Sequence, residues 1–239
     1  MTITLLDNAF APITFTCGFL ESSFSDVADT FSVWRKEIDK EFGTQTDLTR
    51  FAAPLAEALL RLEPLTSPLD RYLIVDTRSP WTAIFSNGLR VNDVDSPVSY
   101  LPTVLKCRGL GVSNVPDRSD TSPPDGLQIW GSVVFTLYGP SPTDWLNRIR
   151  HIAVSNDVGG WQFVAQGQIQ PFEEPKDYQK RKIVDRFTPQ MLQSYCEALG
   201  VQVFDADYYG GECLLSHIRR TTSPGPSMSI SEARSRLYL

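Results

Sequence analysis

Apolar residues recur at Phe24, Val27, Phe31, Trp34, Ile38 and Phe42, in steps of three and four that draw one stripe along a helix. Ser23, with Asp26 three positions on, supplies an N-terminal cap, and Gly43 supplies the residue that ends a helix in the left-handed conformation. A second series at Leu48, Phe51, Leu55, Leu59 and Leu62 has the same period and predicts a helix over 53–62, begun near Ala53 because Pro54 cannot sit in its interior. Ser96-Pro97 and Thr188-Pro189 each place a capping residue before a proline, predicting helices over 97–107 and 188–199.

Between these lie stretches with the other period. Residues 11–20 alternate apolar and polar, and 72–75, 81–85, 110–115 and 128–138 are rich in β-branched and aromatic residues. Asn87-Gly88 signals a turn after the second of these. Asn147–Val154 and Trp161–Gly167 flank Asp157-Val158-Gly159-Gly160 and read as a hairpin, followed by a proline-bounded elbow at 170–175 and a short helix over 178–187. Val201–Phe204 completes the strands. The pattern predicts an α+β fold: an antiparallel or mixed sheet of about five to seven strands with helices mainly on one face. Residues 1–220 read as one domain and 221–239 as a polar, flexible tail.

Composition narrows the function. The 239 residues carry 28 acidic and 22 basic side chains, a net charge of −6 spread evenly along the chain. A nucleic-acid partner would call for clustered cations and is not expected. No apolar run reaches the roughly 20 residues that span a bilayer, and the N-terminus lacks the pattern of a secretory signal, so a cytoplasmic protein with reduced cysteines is expected.

Candidate chemistry is sparse. Cys213 and His217 could offer two metal ligands, fewer than a zinc site needs, and no metal is expected. Gly109-Leu110-Gly111 is a fragment of a dinucleotide fingerprint without its third glycine, and no cofactor is expected. Glu173, Glu174 and Asp177 load the elbow with acid, and Asp205, Asp207, Tyr208 and Tyr209 combine charge with rigid aromatic area. Both sets are candidates for contact with a protein partner. Trp81 and Trp161 are candidates for the walls of a ligand pocket.

Trp81-Thr82-Ala83-Ile84-Phe85-Ser86-Asn87-Gly88, the run Trp161 to Glu174 (W-x-F-x-x-x-G-x-x-Q-P-F-E-E) and Asp185 to Gly200 (D-R-F-T-P-x-x-L-x-x-Y-C-x-A-L-G) together make the chain resemble a family of uncharacterised bacterial cytosolic proteins. The resemblance implies a single module and carries no activity or catalytic residue with it. With no nucleophile–base set and no cofactor motif, the residues point to a non-enzymatic protein-binding module, such as an immunity-type stoichiometric inhibitor of a basic partner. The alternative is an enzyme or small-ligand binder with a tryptophan-lined pocket and a carboxylate pair.

Overall fold

A computed structural model of the chain describes residues 3–89, 94–118, 129–143, 145–157, 159–220 and 225–237. β1 (Thr16–Leu20) leads into α1 (Phe24–Phe42), whose cap forms as the sequence predicts: Asp26 N–H donates to Ser23 Oγ at 3.2 Å, and Gly43 ends the helix at φ +64°. Only the first half of its apolar stripe is core. Phe24, Val27 and Phe31 are buried, whereas Phe42 is 69% exposed where the helix has run past the sheet.

The chain then turns into β2 (Gln45–Ala52), and α2 (Leu55–Leu60) is only six residues long. This corrects the expected helical series. Leu48 and Phe51 share a helical spacing with Leu55 by coincidence: residues 45–52, with β-branched Thr46 and Thr49, pair as a strand with β10 along their whole length. β3 (Leu65–Thr66), β4 (Arg71–Thr77) and β5 (Thr82–Ser86) follow. Asn87 closes β5 by a different device from the expected tight turn. Its buried side chain accepts from the N–H groups of Asp70 and Arg71 and donates to Pro64 O and Thr66 Oγ1, tying three segments together.

α3 (Asp95–Leu105) starts before Ser96-Pro97, which fall in its first turn rather than capping it. β6 (Gly109–Val115), β7 (Ser132–Tyr138), β8 (Arg148–Asp157) and β9 (Gly160–Gly167) form a meander, the last two being the expected hairpin. Two short 3-10 turns, Pro175–Gln179 and Ile183–Asp185, replace the helix expected over 178–187. α4 (Pro189–Ala198) is capped by Thr188 as expected, but 201–204 is not a strand. The missed strand is β10 (Tyr209–Arg219), which puts Cys213 and His217 in extended chain. β11 (Ser227–Met228) pairs with β3, and α5 (Ile230–Arg236) buries Ile230 and Ala233 against the core, so these residues of the C-terminal tail are docked.

Among the described residues the main sheet has nine strands, more than the five to seven expected, in the order β2-β10-β4-β5-β1-β6-β7-β8-β9, and all its pairings are antiparallel. Helices cover both faces rather than mainly one. α1 and α3 pack on Leu20, Tyr72, Ile74, Ile84, Leu214 and Ile218. α2, α4 and α5 pack on the opposite row, which includes Phe19, Leu73, Phe85, Phe135 and Ile152. The two glycines that resembled a nucleotide fingerprint lie under α3. A Cβ at Gly109 would stand 2.5 Å from Val98 O, so the fragment is a close-packing feature of the helix and sheet.

Candidate functional site

The elbow after β9 is held by an ion pair that the sequence did not reveal. Arg150 on β8 reaches Glu173, and the two side chains are 3% and 0% exposed. Arg150 donates from Nε to Glu173 Oε1 at 2.9 Å and from Nη2 to Oε2 at 2.6 Å, a bidentate pair, and from Nη1 to Gly167 O at 3.2 Å. The carboxylate also accepts from Gln170 N–H at 2.8 Å and from the Tyr178 hydroxyl at 2.7 Å, and Tyr178 meets the Tyr195 hydroxyl at 3.0 Å. Burial, followed by hydrogen bonds to Tyr195 and Glu173, pushes the Tyr178 phenol well above its usual range, and burial raises Tyr195 as well. Every strong acceptor site of Glu173 is engaged inside the protein. The residue fastens the elbow to β8 and α4 and offers no acid to a partner.

The other expected contact residues separate in the same way. Glu174 is exposed and pairs with Lys176 at 3.2 Å; Asp177 pairs with Lys180 at 3.1 Å. Asp205 and Asp207 are exposed, the first capping the second's N–H at 2.9 Å. Tyr208 and Tyr209 are core: their hydroxyls bond Ser79 Oγ at 2.7 Å and Val203 O at 2.8 Å. With Glu173 buried, the surface from Glu174 to Arg186 holds five basic and three acidic residues, a net charge of +2 in a chain of −6. The Lys180-Arg181-Lys182 run was visible in the sequence but lay hidden inside an expected helix. The segment that follows the elbow is therefore basic rather than acidic.

The two tryptophans do not share a pocket. Trp81 is 2% exposed, donates its indole N–H to Leu199 O at 2.9 Å and lies under the Arg108 guanidinium, itself clamped by Glu21. Trp161 lines an open cleft of about 240 Å³ with Val133, Val154, Val184, Phe187 and Asp117. Neither Glu173 nor Glu174 lines it.

Burial also acts on the cysteines and on one histidine outside the elbow. Burial raises the thiols of Cys17 and Cys196 well above their usual value, and those of Cys107 and Cys213 to about 11. Among the described residues no three His, Cys, Asp or Glu side chains converge on a metal position. No helix of the described chain is long and apolar enough to cross a membrane. His151 Nδ1 lies 2.9 Å from Thr136 Oγ1 with its ring edge-on to Trp145, and burial together with the Arg148 and Arg150 cations lowers its pKa. Its folded pKa is thus below the unfolded value of about 6.5, so the neutral ring stabilises the fold above that pH and the contribution is lost as pH falls towards the folded value. Urea titrations between pH 7 and pH 5 should show wild-type stability declining on acidification, and His151→Gln should flatten that slope.

The feature that strand order alone reveals is the sheet's unequal edges. β2, at one end, carries Asp47 and Arg50, which pair with Arg219 and Asp29 at 2.5 Å each. β9, at the other, reads Gly-Trp-Gln-Phe-Val-Ala-Gln-Gly: eight residues without a charge or a proline. Charges and prolines are among the usual guards against strand addition, and among the described residues only the first of these edge strands carries either. Searches against protein families, curated proteins and solved structures return no match for this chain.

Proposed function

We propose that the protein acts by stoichiometric binding of another protein, without catalysis, and that the β9 end of the sheet is its recognition surface. An immunity-type inhibitor is one form such a protein takes. The observation that carries the reading is the unguarded eight-residue edge of β9. The thiols raised by burial and the fully engaged Glu173 support it, since each withholds a group that nucleophilic or acid–base chemistry would use.

Ala165→Pro tests it. Proline at an edge position whose N–H faces solvent costs the sheet no hydrogen bond but blocks an incoming strand. Affinity capture from a lysate of the source cells should retain an equimolar protein partner on the wild type and lose it on Ala165→Pro, with the two proteins melting alike. Retention of the same partner by both would reject the edge as the recognition surface. The cleft beside Trp161 supports a second reading, a small-ligand binder, and under that reading Trp161→Ala rather than Ala165→Pro would abolish binding.

A further inference from the structure

We infer that the edge of β9 accepts an extended, acidic segment of a partner protein as a tenth strand of the sheet. The inference rests on the protein-binding reading above and names the chemistry of the occupant.

The register decides which groups are on offer. Asn156 N–H donates to Gly131 O at 2.8 Å, towards β7, and Gln168 N–H donates to Ile149 O at 2.9 Å, from just past β9 back towards β8. Main-chain groups alternate in direction along an antiparallel strand. In the pairing of β8 with β9 (Ser155 opposite Gln162, Ala153 opposite Val164, His151 opposite Gln166), the even-numbered residues of β9 therefore bond β8. Trp161, Phe163 and Ala165 point their N–H and C=O groups outward, enough for up to six hydrogen bonds to a tenth strand.

The charge beside this edge decides the occupant. The 3-10 turn Ile183–Asp185 packs against β9. Lys180, Arg181 and Lys182 lead into it, and Arg186 follows it with its guanidinium 5.7 Å over the Phe163 ring. Arg181 and Lys182 are exposed, and neither they nor Arg186 forms an ion pair among the described residues. The one uncharged edge of an acidic protein thus lies beside its basic segment. A strand carrying Asp or Glu at alternate positions, on the Phe163 side, would bring its carboxylates to these cations while its main chain completes the sheet. A second copy fits less well. Antiparallel self-pairing centred on Phe163 would bring two such basic segments together, and the opposite edge of another copy is guarded by Asp47 and Arg50.

The experiment is selection of a displayed random octapeptide library on the full-length protein. Recovered sequences should be enriched in Asp and Glu at alternate positions with β-branched residues between. Their synthetic versions should weaken as salt rises and bind Ala165→Pro at least about tenfold less tightly than wild type, a difference of about 1.4 kcal/mol. The double variant Arg181→Glu, Lys182→Glu should lose the acidic preference. Peptides that lose affinity for Ala165→Pro but show no acidic bias would overturn the inference and leave the edge reading standing. Peptides that bind Ala165→Pro as well as wild type, or a failure to recover any, would overturn both. A wild-type dimer in sedimentation that Ala165→Pro dissolves would assign the edge to a second copy and likewise overturn the inference.

Discussion

Glu173→Gln should destabilise the protein by about 3–5 kcal/mol, whereas Glu174→Gln, one residue on, should change stability by less than about 1 kcal/mol. The contrast follows from where each charge lies. Glu173 is sealed in with Arg150, and its two oxygens hold the guanidinium, the Gln170 N–H and the Tyr178 hydroxyl. A glutamine keeps one acceptor, puts a donor where a second acceptor is required and leaves the guanidinium buried without a counter-charge. Glu174 faces water beside Lys176, with both side chains more than half exposed. Urea unfolding of the two variants measures the difference, with an unchanged m-value confirming that the denatured state is comparable. The double variant Arg150→Met, Glu173→Gln should be less destabilised than Glu173→Gln alone, because the stranded cation is gone. Equal losses for Glu173→Gln and Glu174→Gln would mean that the ion pair does not fasten the elbow.

These two adjacent glutamates show where sequence reading stops. Nothing in Phe172-Glu173-Glu174-Pro175 says which carboxylate turns inward, because the residue that decides it, Arg150, lies on another strand. Features with local signals were legible: the Ser23 and Thr188 caps, the first half of the α1 stripe, the hairpin of β8 and β9. β10 was not, because helices cover both faces of the sheet at that strand. Leu214 and Leu215 face opposite layers, so apolar and polar residues do not alternate. β2 was misread because an edge strand that is half polar gives so weak an alternation that a chance spacing of Leu48, Phe51 and Leu55 outweighed it. The candidate surface lay beyond reach for a different reason. The residues of β9 were identified correctly as a strand, but its place at an edge is set by the order of all nine strands, which no window of sequence contains.

The same limit applies to Gly109, and its substitution should have the second large effect. Gly109→Ala should cost about 3 kcal/mol, at the upper end of what overpacking usually causes. Position 109 is not in the left-handed region, so alanine suits its backbone, and the lower entropy of the unfolded chain would by itself favour the variant slightly. The penalty is contact. The added methyl would lie 2.5 Å from Val98 O and 2.7 Å from the Pro102 ring, one a main-chain atom and the other part of a rigid side chain. Neither can rotate away, so α3 must lift from β6 and open its packing on Val98 and Leu101. Gly18→Ala offers the control. Its methyl would meet Val98 Cγ2 at 2.2 Å, a contact with one side-chain methyl that Val98→Ala removes. Val98→Ala should therefore recover stability in the Gly18→Ala background and recover none in the Gly109→Ala background. Thermal melts of the four variants read this out. Rescue of Gly109→Ala by Val98→Ala would place the obstruction in the side chain and show that α3 does not rest its backbone on the sheet at this glycine.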